Sequence, residues 1–333
     1  PVPEDVPLEL IETLPDEELD DLTAFNLAEL LRSGCTTQVE MALSLRQAES
    51  YVRVASRFAA RGYPGGMVPG IHRLFPIWFR RDLQTLLDSE PASLQEIAAN
   101  LAFGRRWNHA EEDRIRPMMS PHAADTQTPA MLRATAQAAR ELGNGIHTHL
   151  LQRSFENTHA SHFAPGKRAI EWLQAHGFFD GPFLGAHMSA ADPSVDPALL
   201  KTAGGTYAHC PSAGAGTQAW PELLAAGVNT SISIDTHSND YIENLKLAVL
   251  YGQVRASLLV ATSPVPLHSP TIWDAVRAAT LHGAAALRRD DLGRIAPGAK
   301  ADLTAVDVSG FLVGTGGCPP SRSTTSSTRA GSA

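Results

Sequence analysis

Residues 146–149 read Ile146-His147-Thr148-His149, and three later stretches repeat the design: Gly185-Ala186-His187, Ala208-His209-Cys210-Pro211 and Ser231-Ile232-Ser233-Ile234-Asp235-Thr236-His237. Each is a short run of apolar or small residues that ends in imidazole or carboxylate and leads into a loop and a helix-like stretch. Side chains alternate faces along a strand. Gly145, His147 and His149 therefore share one face, and Ser231, Ser233 and Asp235 share another, with Ile232 and Ile234 turned away. Several strands that end together, with His and Asp on their inner faces, make a metal site at the mouth of a β/α barrel.

Working outward, strands and helices alternate. The pattern predicts strands over 35–41, 67–71, 115–119, 145–150, 183–187, 206–209 and 229–235. Between them it predicts helices over 46–61 (closed by Gly62), 82–103 (broken near Pro91), 129–142, 166–175, 197–203 and 219–226, then two final helices over 241–259 and 271–287. Pro129 in a first turn and Gly143 just past an end are the usual helix boundary marks. About seven β/α units in regular order favour a closed parallel barrel over an open sheet. An eightfold barrel needs about 250 residues, which would fill most of the 333. The expected class is α/β: a (β/α)8 TIM-like barrel, incomplete at its N-terminus, with the remnant of a small β-sandwich domain. Residues 1–288 are read as the barrel with its first strand missing. Residues 289–312, which contain an alternating strand at Leu303–Val306, are read as the β remnant, and the Ser/Thr/Gly-rich 313–333 as a disordered tail.

Composition narrows the function. Hydrophobic residues are 43% and charged residues 19%, ordinary for a globular chain. A net charge of −8 gives nucleic-acid binding no electrostatic support, and no apolar run approaches the ~20 residues of a membrane span. The three cysteines, Cys35, Cys210 and Cys318, lie far apart without C-x-x-C spacing. They imply a reducing, cytoplasmic setting and no zinc held by thiolates. A small-molecule substrate is the expected partner, and monomer or homodimer stays open.

Among the thirteen histidines, His149 is the first candidate metal ligand, against the bland alternative of a hydrogen-bonded core histidine; His147 stands a layer deeper. Asp235, after Ser-Ile-Ser-Ile, is poorly suited to burial unless it binds metal or protons. It is the candidate ligand and general base, with a helix N-cap as the alternative. His187 is expected beside the metal and its water, as a third ligand. His122, His209 and His237 are candidates for the substrate cavity, His209 being equally well explained as structural.

Taken in order, these segments resemble the amidohydrolase superfamily, specifically its cytosine-deaminase-like and triazine-hydrolase-like branch. The resemblance covers about residues 20–308. It is carried by Gly34-Cys35-Thr36-Thr37, His147-Thr148-His149, Gly185-Ala186-His187, Ala208-His209-Cys210-Pro211-Ser212, Asp235-Thr236-His237-Ser238-Asn239-Asp240, Ala279-Thr280-Leu281-His282-Gly283-Ala284 and Gly293-Arg294-Ile295-Ala296-Pro297-Gly298 running on to Leu303. It implies one divalent metal (zinc, with iron as the alternative), His149 as the strand-five ligand, Asp235 as the strand-eight ligand and base, and His187 beside the nucleophilic water. It further implies hydrolysis of a carbon–nitrogen or carbon–halogen bond in a small N-heterocycle or amide, with Tyr63, Trp220 and His122 as candidates to face the ring.

Three departures qualify that reading. The family's opening His-x-His pair is absent, and Gln152 stands where many relatives carry the glutamate that shuttles a proton to the leaving group. An amide donates a hydrogen bond but shuttles no proton, so Gln152 is expected to orient substrate. After Val308 the expected closing strands give way to the Ser/Thr-rich tail. The alternative function is an inactive fragment or non-catalytic relative that lacks the strand-one ligands.

Overall fold

The computed structural model describes residues 9–214 and 216–306. Among them run seven parallel strands: β1 (Thr37–Ala42), β2 (Arg61–Val68), β3 (Ser120–Pro121), β4 (Ile146–Leu150), β5 (Phe183–His187), β6 (Thr206–His209) and β7 (Asn229–Ile232). They pair strictly in chain order, β1-β2-β3 and β4-β5-β6-β7. Parallel bridges Met119–Ile146 and Ala123–His149 join the two groups across β3 and β4. Helices on the outside link the strands, as a parallel sheet requires. This is the TIM-like barrel expected from the alternation.

The helices between the strands are delimited by local chemistry. Helix Leu45–Phe58 starts where the Ser44 hydroxyl accepts from Gln47 N. Helix Pro129–Leu142 starts at Thr128, whose hydroxyl accepts from Met131 N, and stops at Gly143 with φ +76°. The main core fills the space between strands and helices. Trp172, Trp220, Leu150, Phe183 and Tyr207 are all buried in it. Leu184, Met118, Tyr63 and Leu287 close the amino-terminal end of the barrel.

Several boundaries differ from the sequence reading. β2 begins at Arg61 rather than near Met67, and all eight of its residues are buried. Its glycines read as a turn, but packing demands them. A Cβ on Gly65 would stand 2.1 Å from Ser120 Oγ and 2.3 Å from Met118 O. The strand expected over 115–119 is a two-residue ladder, Ser120–Pro121, flanked by single bridges at Ile115 and Met119. Helix Leu83–Trp107 runs through Pro91 without ending. The final helix expected over 271–287 is two, Ile272–Ala279 and Leu281–Ala286, and helix Phe155–Phe163 was not foreseen. β7 stops at Ile232, three residues short of Asp235, which takes a left-handed backbone with φ +55°.

Residues 301–306 carry no strand pairing. They lie against the barrel through Asp302 on Arg61 (2.9 Å) and Thr304 Oγ1 donating to Gly34 O (3.0 Å). The tail expected over 313–333 falls outside the described residues.

Candidate metal centre at the strand ends

The carboxyl ends of β4, β5, β6 and β7 lie side by side, since Leu150 pairs with His187, Ala186 with Ala208 and His209 with Ile232. The chain leaves three of these ends in backbone conformations costly for non-glycine residues. Leu151 follows β4 at φ +46°, His187 and Met188 end β5 at +79° and +49°, and Asp235 stands beyond β7 at +55°.

The imidazoles form a continuous row. The His149 and His187 rings stack at 5.2 Å, 8° from parallel, and His122 lies 4.8 Å from His149. His149 Nδ1 donates to the His122 carbonyl at 2.6 Å, which fixes the tautomer and leaves the ring's lone pair on Nε2, as such contacts do for metal-bound histidine. His187 Nε2 lies 3.7 Å from Asp235 Oδ2. Donor atoms of His187, Cys210 and Asp235 all fall within 4.8 Å of one another. His149 is not in that tight trio; it adjoins it through the stacked ring.

Burial keeps these rings neutral. It pushes His187 down to about 4, with His149 adding to the effect and Asp235 opposing it. It pushes His149 down as well, against the pull of the His122 carbonyl and Asp235, and His122 well below the ordinary value, helped by His149. A neutral imidazole is the form that coordinates a metal.

The other expected residues divide. His122 is buried on this row, its Nδ1 3.2 Å from Thr126 Oγ1 and its ring edge-on to Trp78. His147 sits a layer deeper on Ser120 Oγ, and burial takes it down to about 3. His209 turns away from the row. Its ring stacks on Trp220 at 4.8 Å, and its Nδ1 meets Gln218 Oε1 and Tyr207 Oη, each at 2.8 Å. His237 is exposed on the rim. Gln152 is half-buried on the turn after β4. Tyr63 is at the far, amino-terminal end of the barrel with Arg289 on its hydroxyl, and Trp220 is walled behind His209; neither faces the mouth.

Four residues at the mouth escaped the sequence reading. Cys210, ahead of Pro211, carries only the mark of a loop start. Glu156, hidden in the unforeseen helix, accepts from Leu151 N (2.8 Å), Gln152 N (2.7 Å) and Arg153 N (3.3 Å) and so shapes the turn that carries Gln152. Burial, with Asp125 nearby, pushes its carboxyl up to about 8 against those three donors. Trp78 and Arg153 form a lid-side pair, with the guanidinium 3.7 Å over the indole; nothing in their spacing signals it.

A ring of parallel strands with imidazoles and a carboxylate gathered at its carboxyl end defines a β/α-barrel protein of the amidohydrolase type. The profile of the amidohydrolase family matches residues 3–329, and the chain belongs to that family. It is 30% identical over 304 residues to a 5-methylthioadenosine/S-adenosylhomocysteine deaminase of Pelotomaculum thermopropionicum, covering 89% of this chain and 63% of that protein. It is 27% identical over 312 residues to the hydroxydechloroatrazine ethylaminohydrolase of Pseudomonas sp. strain ADP, covering 86% and 60%. Among solved structures, a zinc-bound adenosine deaminase from Xanthomonas campestris superposes with TM-score 0.72 at 21% identity, covering 94% of this chain and 66% of that one. The zinc complex of atrazine chlorohydrolase from Arthrobacter aurescens TC1 superposes with TM-score 0.66 at 17% identity, covering 85% and 62%. The chain thus spans a little under two thirds of the length of these relatives.

Proposed function

We propose that this chain is a metal-dependent hydrolase that cleaves a carbon–nitrogen (or carbon–halogen) bond in a small N-heterocyclic or amide substrate. The observation that carries the reading is the convergence of His187 Nε2 and Asp235 Oδ2, 3.7 Å apart, beside the His149 ring, which stacks on that of His187 at 5.2 Å. Two neutral imidazoles and a carboxylate are a donor set that suits zinc, and the fixed His149 tautomer fits a ligand role. His149, His187 and Asp235 would hold the ion. Bound there, a zinc ion supplies Lewis acidity that lowers the pKa of a coordinated water toward ~7. The relatives' named substrates, adenosine derivatives and triazines, support a planar nitrogen heterocycle.

The chain's own groups divide the proton work. Asp235 takes a proton from the attacking water as its oxygen bonds the ring carbon, and later returns it to the departing nitrogen as the C–N bond breaks. His187, which would hold the ion through Nε2, leaves proton transfer to Asp235. His122, neutral and edge-on to Trp78, lines the wall against which a flat ring lies. Gln152 donates an amide hydrogen bond to the substrate and leaves proton transfer to Asp235. His209 supports the wall from behind, and His237 borders the entrance.

The test is turnover of a panel of amino- and chloro-substituted purines, pyrimidines and triazines with zinc-reconstituted protein. The account expects ammonia, amine or chloride release that Asp235→Asn abolishes while circular dichroism stays unchanged. Retained turnover in Asp235→Asn removes Asp235 as the base. Failure to retain zinc with the fold intact favours the non-catalytic relative.

A further inference from the structure

Helix Tyr241–Leu259 is apolar on two sides. Leu245, Ala248 and Val249 pack on the main core. Leu250, Val254 and Leu258, spaced four residues apart, form a stripe along the solvent side. A helix that is apolar all round is ordinarily a buried one. The next helix, Ile272–Ala279, widens the stripe. Gln253 Nε2 donates to Pro270 O at 2.9 Å, and this contact brings the exposed Ile272 and Trp273 alongside. Val260 continues the patch, whose exposures run from 45% at Leu250 to 75% at Val260.

Charge is nearly missing from the same face. From Leu247 to Val276 the only lysine, arginine or acidic residues are Arg255 and Asp274, and both are engaged. Arg255 Nε donates to the buried Glu222 carboxylate at 2.9 and 3.0 Å. Asp274 Oδ2 accepts from Thr271 N at 2.8 Å and lies 3.0 Å from His268 Nε2. Six large apolar side chains at these exposures present on the order of 700 Å². That exceeds the largest apolar patch of an ordinary monomer, about 300–600 Å², and approaches the roughly 800 Å² that each partner gives to a stable interface. A two-fold axis sets a patch against itself, so a free charge on it would meet its like. An apolar face whose two charges are already paired suits that arrangement. We infer that this face is the isologous interface of a homodimer: helix Tyr241–Leu259 of one copy lies against the same helix of a second copy, with Trp273 as the aromatic anchor.

Sedimentation velocity of the full chain at micromolar concentration tests this, with circular dichroism as the check on folding. Wild type is expected to sediment as a dimer and to remain one in 1 M sodium chloride, since salt screens charges and leaves apolar contact intact. Trp273→Asp, and independently Leu258→Asp, should raise the dissociation constant ~30-fold or more. Both side chains are exposed within one copy, so circular dichroism should stay unchanged. Phe79→Asp, at an exposed apolar residue of helix Ile71–Arg80, should stay dimeric. A monomeric wild type would overturn the proposal and assign the face to a different occupant. A dimer that survives both Trp273→Asp and Leu258→Asp, or one that 1 M salt or Phe79→Asp dissociates, would overturn it as well.

Discussion

Asp235 and Glu156 put two carboxylates to opposite uses. Asp235 stands on a left-handed backbone, φ +55°, that only a position fixed by its surroundings sustains at a cost of about 1–3 kcal/mol. Asp235→Gly should therefore raise stability or leave it level while removing metal binding; chemical denaturation alongside metal analysis reads both, and a clear loss of stability would count against the strain argument. Glu156 serves geometry instead, through the three backbone N–H groups of the turn before it. Glu156→Ala leaves those donors without their acceptor and should cost about 1–3 kcal/mol together with most of kcat. Glu156→Gln, which keeps one oxygen, should recover part of each. His149 and Asp235 could be singled out in the sequence because each closes a short run of apolar or small residues. Glu156 was not, because no periodicity announces an acid that binds its own turn.

At the level of elements, the strands of this barrel are held in register by what cannot fit between them. A Cβ on Gly185 of β5 would stand 2.6 Å from Leu150 Cδ2 and 2.9 Å from Leu150 Cβ. Overpacking of that kind typically costs about 1–3 kcal/mol, so Gly185→Ala should lower the unfolding free energy by that amount and move the urea midpoint down, and an unchanged midpoint would show that β4 gives way. Neighbouring outer helices are tied to each other through a buried carboxylate. Arg168 meets Asp196 through both nitrogens, at 2.7 and 2.6 Å, and the Asp196 side chain is 0% exposed. Arg168→Ala leaves that charge uncompensated and should destabilise by about 3–5 kcal/mol, which thermal unfolding will register. The β/α order, most strands and helix Pro129–Leu142 could be read from alternation and caps. β2 could not, since Gly62, Pro64, Gly65 and Gly66 look like a turn until Ser120 and Met118 are seen against them. The ends of β3 and β7 could not either, because backbone hydrogen bonding, not composition, stops them.

For the whole molecule, acid stability turns on a charged knot that joins the 109–116 turn to the segment after the last helix. Asp113 pairs with Arg116 at 2.6 Å and with His109, and Arg289 approaches it at 3.7 Å. The Arg116 hydrogen bond, helped by His109, holds the Asp113 carboxyl well below the usual carboxylate range. A depressed carboxylate contributes stability that is complete above its unfolded value of about 3.9 and fades as pH falls toward the folded value. The pair is partly exposed, so its worth is about 1 kcal/mol. Asp113→Asn should lower stability at neutral pH and flatten its decline below about pH 4; parallel curves at every pH would exclude the knot. None of the helices among the described residues is long and apolar enough to cross a membrane.

The claim on which the account stands is that His149 and His187, near the ends of β4 and β5, and Asp235, beyond β7, converge on a single cation. Zinc content after reconstitution and dialysis, measured by atomic spectrometry on wild type, His187→Ala and Asp235→Ala side by side, addresses it directly. One zinc per chain in wild type, and loss of it in both folded variants, is the expected result. No zinc in wild type, or equal zinc in all three, would contradict it.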